Sequence, residues 1–204
     1  MTALFISRFK QKKIDRLYLA ADSRVTVEDQ LICDNRSKIV RHTLENGTRY
    51  FMYCGELGSV DYAMHTINLA QDRAQLYELL VRDKENIDLN HAYTIYVIDD
   101  VPGGPYITQI DKDKGYVGVT SLFLNELLDN PEVNGSGGAH VKVAYDTLEY
   151  QFFSVEENLR DFLKLPRRKQ IYLYENIIQA SFNAAAKTIL SINSNIDIIS
   201  IDIK

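Results

Sequence analysis

The residue with the most chemical promise stands at the front of the chain. Met1-Thr2 places a threonine where removal of the initiator methionine exposes it. A hydroxyl is a poor nucleophile until a base takes its proton. A free α-amine on the same residue can serve as that base, because its pKa of about 8 leaves a useful neutral fraction near pH 7. Met-Thr by itself is an ordinary start, so the weight falls on what else the chain carries. Other chemistries find little support. No Gly-x-x-x-x-Gly-Lys-Ser/Thr run occurs, which excludes a Walker-type nucleotide loop. His42, His65, His91 and His140 have no metal-ligand spacing with one another or with a cysteine. Gly135-Ser136-Gly137 approaches a Gly-x-Ser-x-Gly elbow and falls short of it.

The segment Leu19-Ala20-Ala21-Asp22-Ser23-Arg24-Val25-Thr26 adds weight to Thr2. Here the chain resembles proteasome β-subunits and the related bacterial proteasome-like peptidases, members of the N-terminal-nucleophile (Ntn) hydrolase superfamily. Their first hairpin ends in the same Ala-Asp-Ser-Arg-x-Thr pattern. Lys38, in Ser37-Lys38-Ile39, stands 16 residues after Asp22, at the family's spacing for an essential lysine. Tyr53-Cys54-Gly55 resembles the family's Ala-Gly at a strand end, and Gly135-Ser136-Gly137 its Gly-Ser-Gly before a helix. The Asp22 to Lys38 stretch is the specific part of the likeness; the glycine matches are weak singly.

The resemblance implies a role for each residue. Thr2 is nucleophile and base. The charge of Lys38 lowers the pKa of the threonine groups, and Asp22 keeps that lysine oriented and charged. The Gly55 N–H stabilises an oxyanion. Ser136 supports the amine or a water. The resemblance also implies an α+β, four-layer αββα sandwich. It implies a homo-oligomeric ring that cleaves unfolded polypeptides, fed by a separate ATP-dependent unfoldase. No cofactor is required; backbone carbonyls of Thr188, Ser191 and Ser194 are the candidate ligands of a monovalent cation such as Na+. A silent scaffold subunit and an Ntn amidohydrolase of a small substrate stay open as alternatives. The family's scaffold α-subunits begin with a helical extension, which this sequence lacks. Two departures stand out. The first hairpin is a few residues longer than the family's, and Ser191-Ile192-Asn193-Ser194-Asn195 replaces an Asp-x-x-Ser-Gly-Gly run. Read without the resemblance, Asp22 and Arg24 fit a surface turn and Lys38 a solvated strand position.

The elements that must position these residues are legible in outline. The composition, 46% hydrophobic and 25% charged over 204 residues, is that of one globular domain, 1–204. A net charge of −5 argues against a nucleic-acid partner. No apolar run reaches the roughly 18 residues of a membrane span. Two cysteines and no signal-peptide pattern fit a reduced, cytoplasmic protein. Strands are expected at Ala3–Phe9 and Arg16–Ala21 around a polar turn from Lys10 to Asp15, then at Gln30–Asp34, Ser37–His42 and Arg49–Gly55. Asn46-Gly47 reads as a hairpin turn. One helical stretch is expected over Ser59–Arg82, strands over Ala92–Ile98, Tyr106–Ile110 and Gly115–Leu124, helices over Ala139–Glu149 and Pro166–Ser191, and a last strand over Ile196–Ile203. This order is α+β, not doubly wound.

Overall fold

The computed structural model describes residues 2–27, 30–55, 57–82, 93–113, 116–128, 130–189 and 192–203. The chain divides into two compact units. One contains the chain up to Ser37 and from Leu127 to Asp202; the other runs from Lys38 to Glu126.

The first unit is built on β1 (Leu4–Gln11), β2 (Ile14–Asp22), β10 (Glu132–Asn134) and β11 (Ile196–Asp202). They form an antiparallel sheet in the order β10-β1-β2-β11. A ribbon of β3 (Val25–Val27) and β4 (Gln30–Cys33) follows β2. Helices α3 (Gly138–Glu149), α4 (Glu156–Lys164) and α5 (Arg167–Thr188) complete the unit. Alternate residues of the first hairpin, Phe5, Phe9, Tyr18 and Ala20, pack with Val141, Tyr145, Phe162, Tyr174, Ile178 and Phe182 of the helices. Each large apolar side chain so buried contributes about 1.5–3 kcal/mol. The intervening residues Leu4, Ile6, Leu17 and Leu19 are also fully buried. The strands are thus buried and apolar on both faces over this stretch.

The hairpin differs from its expected form. Lys10 to Asp15 is polar, yet the ladder continues through Lys10↔Asp15 and Gln11↔Ile14, leaving only Lys12-Lys13 as the turn. Cross-strand charge explains this. Arg8 donates twice to Asp15, Nε to Oδ1 and Nη2 to Oδ2, both at 2.7 Å, while Phe9 and Ile14 stay buried. The added length lies in the strands and not in a loop. Residues 150–165, left without an element by their mixed polarity, contain a π-helical turn, Tyr150–Ser154, and α4.

The second unit is a five-stranded antiparallel meander: β5 (Ile39–Leu44), β6 (Gly47–Gly55), β7 (Tyr93–Asp100), β8 (Tyr106–Asp113) and β9 (Tyr116–Leu122). The first turn is Glu45-Asn46, one residue earlier than expected. Gly47 already pairs with Leu44, and a Cβ there would collide with the Asp100 carbonyl of β7. Two helices, α1 (Leu57–Ile67) and α2 (Arg73–Arg82), replace the single expected stretch. Asp72 begins the second by accepting the Gln75 N–H at 2.8 Å, an N-cap bond. Val60, Ala63, Ile67 and Leu76 pack on Phe51, Tyr53, Ile95, Val97 and Ile110 of the sheet. Arg49, fully buried, pairs with Asp99 (Nε to Oδ1 2.6 Å, Nη2 to Oδ2 3.0 Å). Its Nη1 caps α1 at the Ile67 carbonyl, 3.3 Å, and donates to the Ala70 carbonyl just beyond the helix, 2.6 Å.

Candidate active site

The end of β2 and the start of β1 meet at Asp22. This carboxylate is fully buried, not on a surface turn. A buried charge needs donors, and backbone supplies them. Ala3 N–H donates to Oδ1 at 2.7 Å, and Arg24 N–H donates to Oδ2 at 3.1 Å. Asp22 N–H returns a bond to the Ala3 carbonyl at 3.2 Å. The residue after Thr2 is therefore held at both its polar backbone groups.

Thr2 itself is buried, 8% exposed, and its carbonyl accepts the Gly137 N–H at 3.1 Å. The loop that makes this bond must pass close. Gly135 has φ +82°, and a Cβ there would collide with the Thr2 carbonyl. Glycine at 135 is thus a steric requirement of holding residue 2. The same loop starts α3, with Gly137 at the N-cap. Ser136 is exposed, and its hydroxyl has no hydrogen-bond partner among the described residues. Thr2, Asp22 and Gly135–Gly137 are thus brought together in the first unit.

A second polar network braces Asp22 from the chain behind it. The buried Asn193 amide donates to Ser23 Oγ at 3.1 Å, to the Asp34 carbonyl at 3.1 Å and to Asp34 Oδ1 at 3.2 Å. Its Oδ1 accepts the Ser23 N–H at 3.3 Å, and Ser23 Oγ donates to the Asp34 carbonyl at 2.5 Å. Arg24 Nε completes the set on Asp34 Oδ1 at 2.6 Å and holds that carboxyl below the usual carboxylate range, with Asn193 adding to the effect. Asn193 went unread in the sequence; a polar residue in the run that replaces Asp-x-x-Ser-Gly-Gly was the available signal.

In the second unit Lys38 is 3% exposed, so the solvated-strand reading of it does not hold. Gly55 ends β6 opposite Tyr93, exposed, with φ +126°. Cys54, beside it, is the neighbour that senses Lys38. Burial pushes the Cys54 thiol up to about 11, while a Thr94 hydrogen bond and the Lys38 charge pull against it. Of the candidate cation ligands, Thr188 ends α5 with its hydroxyl donating to the Ala185 carbonyl at 2.9 Å. The Ser194 carbonyl accepts Gln179 Nε2 at 3.0 Å. Ser191 lies outside the described residues.

Comparison with known proteins places this arrangement. No protein-family model matches the chain, and no curated protein matches it. Solved structures do. Eukaryotic HslV from Trypanosoma brucei superposes with a TM-score of 0.64 at 16% identity, over 98% of this chain and 99% of that one. This is the proteasome-like Ntn-hydrolase fold. BPH from Thiobacillus denitrificans, solved in complex with epoxomicin, matches with a TM-score of 0.60 at 14% identity over the full length of both chains. Anbu from Pseudomonas aeruginosa, described as a helical assembly, matches with a TM-score of 0.57 at 13% identity over 98% of this chain and 81% of that one. The α+β, αββα class expected from the sequence is the fold these proteasome-like structures share with the chain. Among the described residues no helix is long and apolar enough to cross a membrane.

Proposed function

We propose that the chain is a threonine-type endopeptidase subunit of a proteasome-like assembly. One observation carries the reading: the backbone of residues 2 and 3 is clamped by the buried Asp22 carboxylate and by the Gly135–Gly137 loop. A nucleophile has to be held to a fraction of an ångström, and this clamp supplies such a hold.

In this reading Met1 is removed and Thr2 gains a free α-amine. The amine takes the hydroxyl proton as Oγ attacks the scissile carbonyl. The Gly55 N–H receives the oxyanion. The proton passes to the departing amine of the peptide, leaving an acyl ester on Thr2, and a water then adds and releases the acid. Lys38 lowers the pKa of the Thr2 groups, Asp22 orients the lysine, and Ser136 steadies the amine or water. Carbonyls of Thr188, Ser191 and Ser194 would hold a monovalent cation under the site. The helical assembly of Anbu favours a homo-oligomer, and a closed chamber would admit unfolded polypeptides delivered by a separate unfoldase. The free cysteines Cys33 and Cys54 suit the cytoplasm.

The test is peptide hydrolysis by the full chain and its variants. Thr2→Ala abolishes turnover, and Lys38→Ala lowers kcat/KM by about 10²–10³, the usual worth of one lost electrostatic stabiliser. Full activity in either variant would overturn the reading. A wild-type chain that assembles but never turns over would favour a silent scaffold.

A further inference from the structure

The second unit holds a cluster of polar side chains that the peptidase reading leaves unused. It is centred on Arg73, the first residue of α2. The Arg73 guanidinium lies over the Tyr106 ring, 4.6 Å from its centroid, and 5.5 Å from that of Tyr77. Tyr77 sits one helical turn on and brings its hydroxyl 2.6 Å from Ser121 Oγ on β9. A single Arg73 nitrogen, Nη2, reaches both hydroxyls, Tyr77 at 3.5 Å and Ser121 at 3.4 Å. Those bonds are long for a charged donor, which prefers about 2.7–2.9 Å to an anionic oxygen.

Arg73 differs from the other well-placed arginines of this chain. Arg8 is paired with Asp15, Arg16 with Asp202, Arg24 with Asp34 and Arg49 with Asp99. Among the described residues Arg73 has no carboxylate partner, and its Nε is buried without a hydrogen bond. The nearest carboxylate in sequence, Asp72, is spent on the Gln75 N–H. A half-buried guanidinium without a counter-charge is costly, and a planar fork stacked on an aromatic ring is pre-shaped for two oxygens of one anion. The hydroxyls add donors. Burial works to raise the Tyr77 hydroxyl, yet hydrogen bonds from Ser121 and Arg73 hold it below its ordinary value.

We propose that Arg73, Tyr77 and Ser121 form an oxyanion-binding site, one that takes a carboxylate or phosphate group against the guanidinium, with the Tyr77 hydroxyl donating to it and Ser121 donating to Tyr77. The chemistry of this cluster does not depend on Thr2. A free small anion and a carboxylate carried on a peptide share this chemistry.

The experiment is calorimetric titration of the full chain with inorganic phosphate, with acetate and with a glutamate-containing tripeptide, at constant ionic strength. Saturable one-site binding is expected, with Arg73→Gln raising Kd at least tenfold. Tyr77→Phe and Ser121→Ala, which preserve packing, should each raise it about threefold. Lys142→Gln, on an exposed face of the other unit, should leave it unchanged. Tightest binding of phosphate would mark a small-anion site; tightest binding of the tripeptide would mark a site for a chain-borne carboxylate. Absence of saturable binding by all three probes would overturn the proposal. So would one Kd shared by the wild type and the Tyr77→Phe and Ser121→Ala variants.

Discussion

Among the described residues each unit has one buried aspartate, and the two are used differently. Asp99 in the second unit answers a charge. It pairs in fork fashion with the buried Arg49, which also caps α1. Asp22 in the first unit counts backbone groups among its partners: its two oxygens take the N–H groups of Ala3 and Arg24. The first arrangement stabilises a helix end and would serve any fold. The second holds the backbone of Ala3, next to the proposed nucleophile Thr2. Buried polar groups must be satisfied in either case; what differs is the group they hold in place, a helix end or the residue beside Thr2.

The contrast can be broken by substitution. Asp99→Ala leaves Arg49 buried and uncompensated, so it should cost about 3–5 kcal/mol in urea unfolding, with residual peptidase activity tracking the folded fraction. Asp22→Ala removes a charged acceptor from the Ala3 and Arg24 N–H groups and should cost at least about 2–3 kcal/mol. Its activity should nevertheless fall at least 100-fold in protein that is fully folded. Equal stability and activity losses in these two variants would erase the distinction. Gly135→Ala forces a Cβ against the Thr2 carbonyl at φ +82°. About 1–2 kcal/mol of destabilisation is expected, again with a disproportionate loss of turnover.

The smallest effect is electrostatic. The Arg8 guanidinium holds the Asp15 carboxyl below the usual carboxylate range. A depressed folded pKa stabilises the protein above the unfolded value near 3.9 and loses that contribution as pH falls through the folded one. Asp15→Asn should therefore cost about 1 kcal/mol at pH 7 and flatten the acid limb of the stability curve below about pH 4. An unchanged acid limb would remove the cross-strand pair as the reason the long hairpin stays in strand form.

What was legible in the sequence follows the same division. The first hairpin could be read because its meaning is local: strand alternation around a polar turn. The break between α1 and α2 was less visible, since Asp72 and Gln75 had to outweigh a nearly continuous helical period. The Arg49–Asp99 pair joins residues 50 positions apart and leaves no local trace. Asn193 acts across 170 residues on Ser23, so only the folded sheet, with β11 beside β2, brings it into range. The π-helical turn at Tyr150–Ser154 hides inside a polar stretch whose register is set by packing Phe153 and Phe162 together, 5.0 Å between ring centroids.

The central claim is that Asp22 and the Gly135–Gly137 loop hold Thr2 as a nucleophile with its own amine. Intact-mass spectrometry after incubation with epoxomicin tests it most directly, because the reagent's epoxide and ketone carbons can both be engaged by a residue carrying a hydroxyl and a free amine. The account predicts loss of Met1, a gain of one reagent mapped to Thr2, and no such gain in Asp22→Ala. A chain that keeps Met1 and remains unmodified, or that takes the reagent equally well in Asp22→Ala, would contradict it.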